Sequence, residues 1–89
     1  MKHYDIKVYG KVQGVFYRAN TVRTANELGL LGWVKNAEDG SVLISVEGSE
    51  QQLQKLVKWC HVGPSYAKVE RVSFSEGPLQ DLQGFRIIR

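Results

Sequence analysis

Tyr4-Asp5-Ile6-Lys7-Val8-Tyr9-Gly10-Lys11-Val12-Gln13-Gly14-Val15-Phe16-Tyr17-Arg18 changes its hydrophobic period partway along, and that change decides the fold. Tyr4, Ile6 and Val8 alternate with Asp5, Lys7 and Tyr9, which predicts a half-buried strand ending near Val12. Gly10 and Gly14 then let the backbone turn without a Cβ clash. Beyond them Ala19, Val22, Ala25 and Leu28 recur every three residues, giving a helix an apolar face, with Gly29 suited to a left-handed cap and Arg18 in the first turn. A loop in this position can hold an anion. The first amides of a helix lack partners, the helix end carries roughly half a positive charge, and Arg18 adds a planar five-donor fork. The N–H groups of Gly14, Val15, Phe16, Tyr17 and Arg18 can converge as a nest on a phosphate, two of whose oxygens the guanidinium can grip. By spacing alone, a glycine-rich connection with Arg18 on the surface is the better reading of the stretch.

Outward from this stretch, Leu31 to Ala37 reads as a second strand, Glu38-Asp39-Gly40 as a tight turn, and Ser41 to Glu47 as a third strand with Val42, Ile44 and Val46 on one face. Ser49-Glu50-Gln51-Gln52 has the form of a capping box, and Leu53, Leu56, Val57 and Cys60 follow at i, i+3, i+4 and i+7. Gly63-Pro64-Ser65 stops this second helix. Ala67 to Phe74 predicts a fourth strand, Glu76 to Gln83 a loop, and Phe85 to Ile88 a short closing strand. The order βαββαβ plus a closing strand, with one apolar face per element, is solved by an α+β ferredoxin-like sandwich. Two helices would pack on one side of a mainly antiparallel sheet whose other face meets water.

Eighty-nine residues suit one domain over residues 1–89 with a single modest core. Hydrophobic content of 43% and charged content of 24% are ordinary for a globular chain, which argues against disorder. A net charge of +3 favours anionic partners without choosing among nucleotides, phosphorylated metabolites and nucleic acid. Cys60 is the single cysteine, so no intramolecular disulfide is available and no zinc-ligand spacing occurs. The N-terminal residues lack an apolar signal core and no run is long enough to span a bilayer, so a cytoplasmic location is expected.

The second constellation is Gly32-Trp33-Val34-Lys35-Asn36, at the hairpin end of the second strand. The Asn36 amide both donates and accepts, so it can hold a water beside a phosphate and convert encounter into positioned attack. On chemistry alone, a turn asparagine satisfying the hairpin backbone is the better reading.

Together, Gly10 to Arg18 and Gly32 to Asn36, with Gly40, Val42 and Gly48 at matching offsets, resemble the two signature motifs of the acylphosphatase family. The likeness extends over nearly the whole chain, through Leu28-Gly29-Leu30, Gly63-Pro64, Ala67-Lys68-Val69-Glu70 and Phe85-Arg86-Ile87. It implies hydrolysis of a small-molecule acyl phosphate to a carboxylate and inorganic phosphate, with no metal, no cofactor and no covalent phosphoenzyme. Arg18 would bind the phosphate with the loop amides, and Asn36 would orient the attacking water. Tyr17 stands where the family more often has phenylalanine, which keeps an aromatic ring. A monomer is expected, with no nucleic-acid or membrane partner. The alternative is a non-catalytic acylphosphatase-like module that regulates or binds nucleic acid. RNA-recognition domains stack bases on aromatics of central strands, and Ser41 to Glu47 offers none.

Other chemistry-bearing residues fall outside the motifs. His3 and His61 lie at a strand start and a helix end, and Cys60 belongs to the apolar stripe of the second helix, so packing is its expected role. Trp33 and Trp59 suit the core or its edge, and Lys55 and Lys58 a solvated helix flank.

Overall fold

The alternating run becomes β1 (Lys2–Lys11) in a computed structural model that describes residues 1–89. It is followed by α1 (Tyr17–Glu27), β2 (Leu31–Asn36), β3 (Val42–Gly48), α2 (Glu50–Val62), β4 (Lys68–Gly77) and β5 (Phe85–Ile87). The strands form one sheet in the order β4-β1-β3-β2-β5. Every pairing is antiparallel except that of β2 with β5, which is parallel. The register sets Ile6 opposite Ile44 and Val8 opposite Val42, so the apolar faces of the two inner strands coincide. Leu53, Leu56, Val57 and Cys60 of α2 join them in one buried cluster. This is the ferredoxin-like α+β sandwich expected from the sequence.

Three details depart from expectation. On α1 the buried residues are Tyr17, Thr21 and Ala25, whereas Ala19 is exposed. A stripe advancing by four follows the 3.6-residue turn better than one advancing by three. Thr21 can join it because its hydroxyl donates to the Tyr17 carbonyl at 2.8 Å. Tyr17 in turn donates from its hydroxyl to the Cys60 carbonyl at 2.8 Å and packs its ring on Trp59, fastening the start of α1 to the end of α2. At α2, Ser49 accepts from the Gln52 N–H at 3.3 Å, but the return half of the capping box is unmade, since Gln52 Oε1 is buried without a partner.

The second departure is strand length. β1 begins earlier than Tyr4 because Lys2 and His3 pair with Gly48 and Glu47, and β4 continues past Phe74 because Glu76 and Gly77 pair with Tyr4 and His3. Glu76 is therefore in a strand, not in the connecting loop.

The third concerns the sheet face opposite the helices, which does not simply meet water. β4 and β5 occupy opposite edges, so residues 78–84 must cross from one to the other. At the end of the sheet where β1 starts and β3 finishes, His3, Ser45 and Glu47 are all 1% exposed or less. There the Glu47 carboxylate accepts the N–H groups of Gln80 at 2.6 Å and Leu82 at 3.0 Å from the crossing segment. His3 Nδ1 lies 2.8 Å from Glu47 Oε2 and Nε2 lies 2.9 Å from Asp5 Oδ1, while the Ser45 hydroxyl donates to the same Asp5 oxygen at 3.0 Å. His3 is thus a structural member of a closed polar network.

Candidate active site

At the other end of β1 the chain leaves the sheet through Val12 and Val15, both buried, which anchor the loop from below. Between and beyond them, Gly14 (φ 72°) and Phe16 (φ 66°) take left-handed backbone conformations. For phenylalanine this conformation costs about 1–2 kcal/mol, and such strain gathers where a fixed backbone shape serves a site. Asn20 holds the shape by donating to the Phe16 carbonyl both from its backbone N–H, at 3.1 Å, and from Nδ2, at 2.9 Å.

Phe16 is the N-cap of α1, yet no side chain caps the helix and its first turn carries no acidic residue. The ladder begins with Asn20, so the amides of Tyr17, Arg18 and Ala19 precede it. The positive end of the helix is left without a neutralising group. Arg18 is half-buried in that first turn and belongs to none of the salt bridges of the molecule. A cavity of about 250 Å³ opens here, lined by Val12, Gly14, Phe16, Tyr17, Arg18, Ala19 and Ile87. Of the five residues expected to cradle phosphate, Gly14, Phe16, Tyr17 and Arg18 share this wall. Val15 turns its side chain into the core, so only its backbone is available to a ligand.

Asn36 closes β2 opposite Val42. It is not part of the cavity wall, but β5 joins the two, since Ile87 of the wall pairs with Val34 and the Ile88 N–H donates to the Val34 carbonyl at 2.9 Å. The Asn36 side-chain oxygen is buried and accepts no hydrogen bond. Such an atom is costly unless something else satisfies it. A turn asparagine serving the hairpin backbone would have spent that oxygen on it. The hairpin is instead closed by Asp39, whose Oδ1 accepts from the Ser41 N–H at 3.0 Å and from the Ser41 hydroxyl at 2.5 Å. The Ser41 hydroxyl, with the Lys7 ammonium 2.9 Å away, holds the Asp39 carboxyl well below the usual carboxylate range.

A second link between loop and hairpin is Gln13. Its Nε2 donates to the Ala37 carbonyl at 2.8 Å and to the Ser41 carbonyl at 2.9 Å. Gln13 and Ile87 were not singled out from the sequence. Both act through backbone neighbours far along the chain, and the only available signal was the place of Gln13 inside the first motif.

The family model described as Acylphosphatase matches residues 4–87. Over 87 residues the chain is 48% identical to an acylphosphatase from Marinobacter nauticus, covering 97% of this chain and 95% of that relative. Among solved structures it is similar to the acylphosphatase from Bacillus subtilis, at 39% identity and a TM-score of 0.97 with both chains covered in full. It is also similar to an acylphosphatase from Coxiella burnetii, at 37% identity and a TM-score of 0.94, covering 98% of this chain and 92% of the other.

Proposed function

The chain belongs to the acylphosphatase family of hydrolases, and from that premise we propose that the Gly14–Arg18 loop and Asn36 together carry its cleavage of acyl phosphates. The phosphoryl group enters the cavity at the start of α1. The loop amides and the helix end hold its oxygens, and the Arg18 guanidinium grips two of them. Asn36 orients the attacking water through its side-chain amide, whose oxygen no group of the chain occupies, and so aims the water's lone pair at phosphorus. The new bond forms between water oxygen and phosphorus, the bond from phosphorus to the acyl oxygen breaks, and its electron pair departs with the carboxylate. The water proton passes to a phosphoryl oxygen of the substrate. A carboxylate is a good leaving group, so no general acid is required, and positioning with charge stabilisation carries the rate.

The observation that carries this reading is the unsatisfied set: an uncapped helix start, an arginine free of carboxylates and a buried amide oxygen without a partner. The test is phosphate release from benzoyl phosphate with EDTA present, comparing the wild type with Arg18→Ala and Asn36→Ala. Turnover by the wild type that EDTA leaves intact and each substitution cuts by about 100-fold or more supports the reading. A wild type no faster than the variants would instead mark a non-catalytic module of the family, and loss of activity in EDTA would contradict the metal-free route.

A further inference from the structure

We propose that Gln13 is a positioning residue that sets the separation between the bound phosphoryl group and the water held by Asn36; this rests on the roles proposed above for Arg18 and Asn36. Gln13 lies in the loop between β1 and α1, one residue before Gly14. Both hydrogens of its side-chain amide are used, one on the Ala37 carbonyl at 2.8 Å and one on the Ser41 carbonyl at 2.9 Å. Ala37 directly follows Asn36, and its own N–H donates to that same Ser41 carbonyl at 2.9 Å. One side chain therefore joins the segment that would hold phosphate to the two residues that close the hairpin beside the water-holding amide.

The chemistry of the join explains the residue type. The two carbonyl oxygens each accept one backbone N–H already, from Gly40 and from Ala37. Each has a second lone pair turned toward the loop, which a primary amide can meet with two donors and no charge. A carboxylate of the same length would set a third acceptor against them. A thioether of similar length would fill the space and join nothing. Asn36 itself is not restrained by its own side-chain oxygen, which has no partner in the chain. Its placement relative to the loop is therefore inherited from the backbone, and Gln13 is the side chain that spans the two segments. In-line attack is sensitive to such placement, and an error near 1 Å can cost about 100-fold.

Three variants, Gln13→Met, Gln13→Glu and Gln13→Asn, test this in the benzoyl phosphate assay, alongside competitive inhibition by inorganic phosphate. Gln13→Met and Gln13→Glu are expected to lower kcat by about 10- to 100-fold while the inhibition constant for inorganic phosphate moves less than about two-fold, because Arg18 and the loop amides are untouched. Gln13→Asn keeps the amide and shortens its reach, so it falls between them and the wild type, and it serves as the second probe if a harsher change unfolds the chain. In an Asn36→Ala background, Gln13→Met is expected to add little further loss, since its effect passes through Asn36. Unchanged kcat in Gln13→Met, or an equal loss with and without Asn36, overturns the inference while leaving the proposed function standing. Full activity in Asn36→Ala overturns both.

Discussion

The two ends of this sheet treat polar groups in opposite ways. Where β1 starts and β3 finishes, His3, Asp5, Ser45 and Glu47 satisfy one another, and two backbone amides of the crossing segment 78–84 complete the carboxylate. Where β1 ends, the helix start is uncapped, Arg18 pairs with no carboxylate and a buried Asn36 oxygen accepts nothing. The same core lies between them. A buried polar group without a partner costs on the order of 1–3 kcal/mol, and Gln52 at the start of α2 leaves one as well. What sets the second end apart is therefore the combination of an uncapped helix start, an unpaired Arg18 and the open Asn36 oxygen. The difference teaches where to look for a ligand, and it is at the unsatisfied end that the proposed function puts one.

The comparison breaks most visibly if the open end is emptied of charge. Arg18→Ala should reduce turnover of benzoyl phosphate by about 1,000-fold, and Arg18→Lys should recover only part of it, because a point charge cannot reproduce a two-pronged grip. Near-normal turnover in the lysine variant would remove this role from Arg18. Next in size, Asn36→Ala should lower kcat by about 100-fold with little change in KM, and its Tm should equal or exceed that of the wild type, since an unsatisfied atom is removed. A lower Tm would place Asn36 among the structural residues.

At the closed end the pattern should reverse. Glu47→Gln leaves one crossing-segment amide without its acceptor and should cost about 2 kcal/mol, a fall of about 10 °C in Tm, with kcat at a temperature where the variant is folded unchanged. Lost activity there would mean that the two ends are coupled. Acidity should act on the same end. Burial would lower the His3 pKa, but its hydrogen bonds to Asp5 and Glu47 outweigh it and raise the value above the ordinary 6.5. That contribution is complete below about pH 6.5 and is lost as pH rises through the folded-state value. Burial likewise opposes the Glu47 shift, yet the Gln80 and Leu82 amides and His3 lower it from 4.5, a contribution complete above that value and lost as pH falls through the folded-state one. Urea midpoints across pH should therefore peak between those two ordinary values, and in Glu47→Gln the peak should flatten. Ser45→Ala should have the smallest effect, about 1 kcal/mol, read in the same urea titration without change in turnover.

Much of the fold was legible because it rests on side-chain periodicity. Ile6, Val8, Val42 and Ile44 announce two strands with one apolar face, and Leu53, Leu56, Val57 and Cys60 announce a helix. The site was legible in part for a related reason, as a strand, a glycine turn and a helix start bring Gly14, Phe16 and Arg18 together within a few residues. What escaped depends on backbone partners, which leave no residue pattern to read. Glu47 is held by the N–H groups of Gln80 and Leu82, and Gln13 by the carbonyls of Ala37 and Ser41. Thr21 escaped differently, a polar residue whose hydroxyl is satisfied inside its own helix and so can be buried.

The contrast between the ends can be read directly from backbone amides. In a titration of the isotopically labelled chain with inorganic phosphate, the amide resonances of Gly14 to Ala19 and the side-chain amide of Asn36 should shift together with one dissociation constant. Those of Gln80 and Leu82, already committed to Glu47, should stay in place. Shifts centred on the crossing segment, or none at Gly14 to Ala19 at phosphate concentrations that inhibit benzoyl phosphate hydrolysis, would contradict the assignment of the open end as the site.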